Sequence, residues 1–162
     1  MKTDTFTFLL TNDTRDLGTL SNPIFNVNYL QKKNTYSKIT CFIDNFQAML
    51  LTLSDITNLL YLESSSLNQI NSYSSKTKGT SNILCFVNRN IEEDATYGTN
   101  DSAVSYQAPS IPIEISSLPD SINLKLVKAN GNTVDMDTGS NIFSIKLRFV
   151  CEYSSGCGCG CG

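Results

Sequence analysis

Hydrophobic and polar residues alternate along most of the chain, and the longest such pattern lies near its end. From Phe143 to Tyr153 nearly every second side chain is apolar or aromatic, whereas Lys146, Arg148 and Glu152 occupy positions between them. A period of two is typical of a strand with one buried face, because successive side chains point to opposite faces. The predicted inner face of this closing strand consists of Phe143, Ile145, Leu147, Phe149, Cys151 and Tyr153.

The same alternation predicts several shorter strands. They are centred on Phe6–Leu10, Phe25–Tyr29, Ile39–Ile43, Ile83–Val87, Ile111–Ile115 and Ile122–Leu126. Pro112 predicts an edge position for the fifth of these, because proline cannot donate a hydrogen bond to a neighbouring strand. The fourth carries Leu84 and Phe86 on its other face, which predicts a central strand or one covered by a loop.

Turn residues separate these strands. Asn130-Gly131 predicts a hairpin turn, because this pair tolerates the positive φ that type I′ turns require. Val134 and Met136 continue the alternation beyond the turn, and Asp137–Ser140 is expected to turn the chain again into the closing strand. The longer connections are predicted at Asn68–Ser81 and Arg89–Gly98.

Residues 46–62 fit two interpretations. Helical spacing fits Phe46, Met49, Leu50, Leu53, Ile56 and Leu60. Asp44-Asn45 or Ser54-Asp55 could cap a short helix there. We favour a strand that ends near Phe46, then a helical turn or loop, then a strand near residues 59–65.

Eight or nine short strands with Ser, Asn, Gly and Pro turns predict an all-β protein, specifically a single jelly-roll β-sandwich of about eight antiparallel strands. The composition agrees, since 53 of the 162 residues are Ser, Thr or Asn, which favour turns and β surfaces over helices. We assign residues 1–153 to the jelly-roll domain and residues 154–162 to a flexible Cys/Gly tail.

Charge and hydropathy exclude several functional classes. The net charge is −3, and the basic stretches Lys32-Lys33 and Lys76-Thr77-Lys78 are too small to follow a phosphate backbone, so no nucleic-acid partner is expected. No apolar run approaches the roughly 18 residues needed to span a bilayer. The N-terminus is too polar for a signal peptide, which predicts a soluble chain made without a leader.

The chain contains no histidine, which excludes Ser-His-Asp and Cys-His catalysis and histidine metal sites. Glu92, Glu93 and Asp94 are predicted to lie solvated in a polar loop. Asp135 and Asp137 would share one strand face, where solvated acids are favoured over a weak cation site. The sequence therefore predicts a protein without enzymatic activity, cofactor or metal.

Three cysteines fall on predicted inner faces. Cys41, Cys85 and Cys151 are expected to pack in the core, where a free cysteine behaves as a small hydrophobic residue. A Cys41–Cys85 or Cys85–Cys151 disulfide remains an alternative, because the sequence gives no Cα separation.

The other three cysteines, Cys157, Cys159 and Cys161, alternate with glycines in the tail. A structural zinc site usually takes four ligands with Cys-x-x-Cys spacing, and this ending does not match a prenylation box. A flexible tail without an essential role is the first interpretation. An intermolecular disulfide or a membrane-proximal anchor is the second, and a metal site is the last.

Three stretches resemble a known family. They are Thr5–Tyr29, with a strand, a polar turn and a second strand; Tyr61–Val87, with two strands around a Ser/Asn-rich crossing; and Leu118–Phe149, with an Asn-Gly hairpin and the long closing strand. Together they resemble the single jelly-roll minor capsid proteins of large icosahedral DNA viruses, of the algal-virus and giant-virus kind. The similarity covers residues 5–153 at the level of pattern, without a catalytic motif or the cysteine tail.

The resemblance implies a structural role in the virion, assembled inside the host cell. The implied partners are the major capsid protein and other minor capsid proteins, with a homo-oligomer and proximity to a membrane left open. The alternative is a non-catalytic jelly-roll binding module, lectin-like or receptor-binding. The absence of tryptophan, the commonest sugar-stacking residue, counts against a lectin.

Overall fold

The computed structural model describes residues 2–27, 36–51, 60–67, 69–70, 73–74, 79–80, 82–93, 100–107, 112–128, 130–134 and 142–154. Within these ranges the chain is almost entirely strand, and its helical structure is limited to a 3-10 turn at Asn12–Thr14. The strands are β1 (Thr3–Thr11), β2 (Leu17–Gly18), β3 (Pro23–Asn26), β4 (Tyr36–Leu51), β5 (Leu60–Glu63), β6 (Tyr73–Ser74), β7 (Gly79–Thr80), β8 (Ile83–Glu93), β9 (Asn100–Gln107), β10 (Ile113–Ile115), β11 (Ser121–Asn123), β12 (Lys125–Lys128) and β13 (Ile142–Tyr153).

The main strands pair from the outside of the sequence inwards: the first pairs with the last, and each following strand pairs with one that lies earlier than the last partner. All pairings between the described strands are antiparallel. β1 pairs with β13, β3 with β11, β4 with β9, and β5 with β8. Two further pairings, β13 with β4 and β12 with β5, join these pairs side by side. We call the strands β1-β13-β4-β9 the first layer, and β3-β11/β12-β5-β8 the second layer. The all-β prediction is confirmed.

Strand β8 connects the two layers. Its first half, up to Val87, pairs with β5 of the second layer, and its second half, Asn88–Glu93, pairs with β9 of the first layer. One long strand that changes partners in this way is how sheets turn a corner in β-sandwiches. The predicted loop at Arg89–Gly98 is therefore wrong for its first half, and Glu92 and Glu93 lie in a strand. Polar residues do not prevent this pairing, because main-chain hydrogen bonds hold the strands together.

One buried core lies between the layers. The rings of Phe25 in the second layer and Phe143 in the first meet edge to face, with centroids 6.2 Å apart. The predicted inner face of β13 is confirmed from Phe143 to Cys151, and Tyr153 is half-buried at its end. Phe6 and Ile83, also predicted to point inward, are half-buried, and Tyr29 and Ile111 lie outside the described part. The other predicted inward residues of these strands are buried: Phe8, Leu10, Phe25, Val27, Ile39, Cys41, Ile43, Cys85, Val87, Ile113, Ile115, Ile122, Leu124 and Leu126.

The predicted end of a strand near Phe46 is wrong, because β4 continues to Leu51. The register of β4 with β13 passes over Asp44, since Ile43 pairs with Leu147 and Asn45 pairs with the next residue, Lys146. This extra residue is a β-bulge, and it shifts the buried positions from odd to even numbers. A spacing of three between the buried residues Ile43 and Phe46 follows, and it imitates a helical period. The strand β5 confirms the prediction near residues 59–65, and residues 52–59 lie outside the described part.

A second bulge lies in β8, the strand that is apolar on both faces. Leu62 pairs with Cys85 and Glu63 pairs with Ile83, so Leu84 is the extra residue and is buried. The predicted central position of this strand is confirmed, because β8 pairs with β5 and with β9. The alternative of a covering loop is wrong at Phe86, which is 58% exposed.

The structure also bears on the strand after Pro112 and on the Asn-Gly turn. The strand after Pro112 is β10, which pairs with β4 on one side and has an isolated bridge, from Ile115 to Gln69, on the other. The predicted hairpin is confirmed, since Val127 forms a bridge with Thr133. Its type differs from the predicted I′ turn, because the Gly131 N–H donates to the Lys128 carbonyl at 2.8 Å and Gly131, with φ 90°, is therefore the fourth residue of the turn. Met136 and residues 137–140 lie outside the described part.

Side-chain hydrogen bonds hold the second layer together where β11 and β12 are interrupted. The Asn123 side-chain oxygen accepts from the Ser66 N–H at 2.9 Å, and the Ser66 hydroxyl accepts from the Asn123 N–H at 3.0 Å. These bonds pin the serine-rich segment after β5 to the end of β11. Because they satisfy polar groups beside buried strands, they favour one arrangement of this region.

Candidate functional site

A cluster of one acid and two tyrosines closes one end of the first layer. Asp4 near the start of β1, Tyr36 at the start of β4 and Tyr153 at the end of β13 meet there. The Tyr153 hydroxyl donates to Asp4 Oδ2 at 2.5 Å, and the Tyr36 hydroxyl donates to the same oxygen at 3.0 Å. The two rings contact edge to face at 5.2 Å, and Lys2 Nζ lies 5.1 Å from the centre of the Tyr153 ring.

The electrostatics of this cluster indicate a structural role. The hydrogen bond from Tyr153 lowers the pKa of Asp4, with a further contribution from Tyr36, and partial burial opposes both. The same bond to Asp4 raises the pKa of Tyr153, so its hydroxyl stays protonated. A carboxylate occupied by two donors is a poor base, and a tyrosine held neutral is a poor nucleophile. The cluster therefore joins β1, β4 and β13 at this end of the layer.

A second charged group lies on the outer face of the first layer. Arg148 of β13 donates two hydrogen bonds to Asp44 of β4, from Nε at 3.0 Å and from Nη2 at 2.9 Å. The guanidinium also lies over the Phe42 ring, 4.4 Å from its centre. The bond to Asp44 raises the pKa of Arg148. The bidentate pair and the ring hold this guanidinium in one orientation, and about a third of the Arg148 side chain remains exposed.

An aromatic pair lies on the outer face of the second layer. The rings of Tyr61 and Phe86 meet edge to face at 5.2 Å, on directly paired positions of β5 and β8. Val127 pairs with Tyr61 on its other side and is buried. Exposed aromatic rings of this kind are enriched in protein interfaces, and they also stack on sugars.

The three core cysteines are free thiols, as the preferred interpretation predicted. Burial raises the pKa of Cys41 and Cys85 to about 12 each, with the Asp44 charge adding to the effect at Cys41, and it raises the pKa of Cys151 to about 11. Thiols with such pKa values carry almost no thiolate at neutral pH, and the thiolate is the reactive form. These residues therefore pack rather than react.

A small cleft opens between the layers beside the loop that precedes β3. Leu20, Pro23, Phe46 and Phe143 line much of it, and it has room for about one water molecule. Ligand pockets usually measure about 300–1,000 Å³ and carry a few converging polar groups. This cleft is smaller and mainly apolar, so we interpret it as imperfect packing between the layers.

Most residues that the sequence singled out for chemistry lie outside the described part. These are Cys157, Cys159, Cys161, Asp94, Asp135 and Asp137. Among the described residues, no three His, Cys, Asp or Glu side chains come close enough to bind a metal. The cluster at Asp4 was not predicted, although the sequence carries a signal for it: Asp4 occupies an inner-face position in step with Phe6, Phe8 and Leu10.

The pairing and the core define an antiparallel all-β protein with a sandwich-like arrangement. No family model matches the chain, and no curated protein matches its sequence. In the part that the structure describes, no helix has the length and apolar character needed to cross a membrane.

Proposed function

We propose that this chain is a minor capsid protein of a large icosahedral DNA virus, folded as a single jelly roll. It acts as a structural cement within the virion, and its partners are the major capsid protein and other minor capsid proteins. It performs no catalysis. Its work is to bury surface against neighbouring subunits through many modest contacts.

The nested pairing of strands is the observation that carries this proposal. A jelly roll has eight strands in two sheets, and capsid proteins are among the proteins that use it. Its first strand pairs with its last, its second with its seventh, its third with its sixth and its fourth with its fifth. The pairs β1–β13, β3–β11, β4–β9 and β5–β8 follow that order if β11 and β12 count as one strand.

The chemistry of the outer faces supports a role in assembly. Thr3, Thr5 and Thr7 are exposed on β1, and the pre-organised Arg148 lies on β13 beside it. Phe86 is exposed on the second layer. Arginine and aromatic residues are common where interfaces have their strongest contacts, and neutral hydroxyls form hydrogen bonds without the desolvation cost of a charge.

A co-assembly experiment tests the proposal. The purified chain is mixed with the double-barrel major capsid protein of a virus from the same source, and the mixture is measured by native mass spectrometry. We expect a complex of defined stoichiometry, and an unrelated jelly-roll lectin as the control should form none. If the chain stays free of the capsid protein, the proposal fails.

The exposed aromatic pair favours a lectin-like module as the second candidate. Phe86 with Tyr61 provides the ring surface that sugar stacking needs. A glycan array tests this function, with Phe86→Ala as the matched variant. Binding that is lost in the variant would support a lectin, whereas the capsid proposal expects no glycan signal from either chain.

A further inference from the structure

The long first strand leaves one edge of the first layer without a described partner. Among the described residues, β1 pairs with β13 and with no other strand. The direction of its main-chain groups follows from two hydrogen bonds. The Tyr153 N–H donates to the Lys2 carbonyl at 3.1 Å, and the Thr11 N–H donates to the Thr14 hydroxyl at 2.9 Å.

These bonds place the even and odd residues of β1 on opposite sides. In an antiparallel ladder the N–H and C=O of one residue point to the same side, and the side alternates along the strand. The β1–β13 register contains no shift, so the even residues point towards β13. The main-chain groups of Thr3, Thr5, Thr7 and Leu9 therefore point to the open edge.

The side chains along this edge lack the features that usually prevent pairing. Natural edge strands are protected by lysines, prolines, bulges or short length. From Thr3 to Thr11 the strand has nine residues without a bulge, a proline or a lysine. Its acid, Asp4, is held at the inner face by Tyr153. Leu9 is 66% exposed, although leucine gains from burial.

We propose that this edge binds a second copy of the chain, with the two β1 strands antiparallel about Thr7. This register uses the whole strand, because Thr7 is its midpoint. The Thr5 of each copy lies opposite the Leu9 of the other, and Phe6 lies opposite Phe8. Thr7 with Thr7 and Phe6 with Phe8 are favourable cross-strand pairs, because threonine pairs and aromatic pairs both stabilise neighbouring strands. Asp4 falls opposite Leu10, so no like charges oppose one another.

The open main-chain groups also match in this register. Thr7 pairs with Thr7 and Thr5 pairs with Leu9, so each pair exchanges hydrogen bonds across the two-fold axis. A peptide from an unrelated protein would satisfy the same groups but would lack this symmetry, and the self-complementary sequence favours a second copy. The dimer goes beyond the capsid proposal and does not depend on it, since it is measured on the isolated chain.

Cysteine cross-linking tests the register. The starting chain carries serine at positions 157, 159 and 161, which leaves only the buried Cys41, Cys85 and Cys151. Facing residues in a hydrogen-bonded pair have Cα atoms about 5.5 Å apart, within the range of a disulfide. In the proposed dimer Thr7 faces its own counterpart, whereas the two Thr3 residues lie about 27 Å apart at about 3.4 Å per residue.

We therefore expect Thr7→Cys to form a covalent dimer under mild oxidation and Thr3→Cys, the matched control, to remain monomeric. Non-reducing gels and intact mass measure both. If Thr7→Cys cross-links no more than Thr3→Cys, the proposed register is overturned.

Sedimentation of the chain tests the association itself. The edge contact is smaller than the roughly 1,600 Å² of a standard stable interface, so we expect a dimer fraction that rises with concentration. Leu9→Lys should abolish it by placing a charge on the edge. Leu17→Lys is the control, because Leu17 is equally exposed, at 68%, on another strand. A monomer at every concentration, or a dimer that survives Leu9→Lys, overturns the proposal.

Discussion

The two faces of β13 differ completely although their residues alternate in one strand. On the inner face, Leu147 and Phe149 are fully buried in the hydrophobic core. On the outer face, Arg148 is held between Asp44 and Phe42 and remains about a third exposed. The inner face fixes the fold because burial of apolar area is the main favourable term in folding. The outer face contributes less to folding, because its side chains stay partly in contact with water.

The largest expected effect comes from the centre of the inner face. Phe149→Ala removes a ring that meets Phe8 edge to face at 5.8 Å, and it leaves a cavity in the core. We expect the free energy of unfolding to fall by about 3–5 kcal/mol. Denaturant unfolding measures it, with Val150→Ala on the outer face as the control. Equal losses in the two variants would contradict the division between faces.

The bulge in β8 allows a second comparison, between the buried Leu84 and the exposed Phe86. Leu84 is buried and Phe86 is mostly exposed, although they lie two residues apart. Leu84→Ala should cost about 2–5 kcal/mol of unfolding free energy, as other buried leucines do. Phe86→Ala should cost less than about 1 kcal/mol, because most of its ring is in water already. A larger loss for Phe86→Ala would mean that the register at Leu62 and Glu63 is wrong.

The charged pair on the outer face should have a smaller effect. Arg148 and Asp44 are partly exposed, and ion pairs of this kind contribute about 0.2–1 kcal/mol. A double-mutant cycle with Arg148→Ala and Asp44→Ala isolates the interaction. We expect a coupling energy of at most about 1 kcal/mol in denaturant unfolding. A coupling energy several times larger would place this pair among the determinants of the fold.

The smallest expected effect is the pH dependence of stability that arises from Asp4 and Tyr153 at the end of the first layer. The pKa of Asp4 is lowered in the fold, so its stabilising contribution is present above its usual pKa and is lost as the pH falls below about 4. The pKa of Tyr153 is raised, so its contribution is present below its usual pKa and is lost as the pH rises above about 10.

Tyr153→Phe should weaken both dependences, because one hydrogen bond couples the two groups. Unfolding measured across the acid and alkaline ranges tests this expectation, and NMR titration of the Asp4 carboxyl should show its pKa returning towards the usual value. Leu17→Ala serves as a control far from the cluster. An unchanged Asp4 titration in Tyr153→Phe would rule out the coupling.

The alternation of apolar residues was sufficient to predict most strands and their inner faces, because burial of one face imposes a period of two. The prediction failed where a bulge changed which residues, odd-numbered or even-numbered, point to the core. Asp44 converts the spacing from Ile43 to Phe46 into three residues, and Leu84 turns into the core out of step with Phe86. Neither bulge has a distinctive residue type, so both depend on the register of the neighbouring strand.

Strands with polar side chains could not be predicted from the alternation either. Asn88–Glu93 pairs with β9 through main-chain hydrogen bonds, and its side chains give no apolar alternation to detect. The Asp44–Arg148 pair joins residues far apart in sequence, and it follows from the bulge and could not be predicted without it. The absence of histidine, in contrast, is visible in the sequence alone.

Mass spectrometry of purified virus particles from the source of this sequence is the most direct test of the central claim, that the chain is a structural subunit of a capsid. We predict that the chain copurifies with the major capsid protein at a fixed ratio and remains bound after washing at high salt, because only 17% of its residues are charged. A chain that is absent from particles, or that is removed by the wash, would contradict the claim.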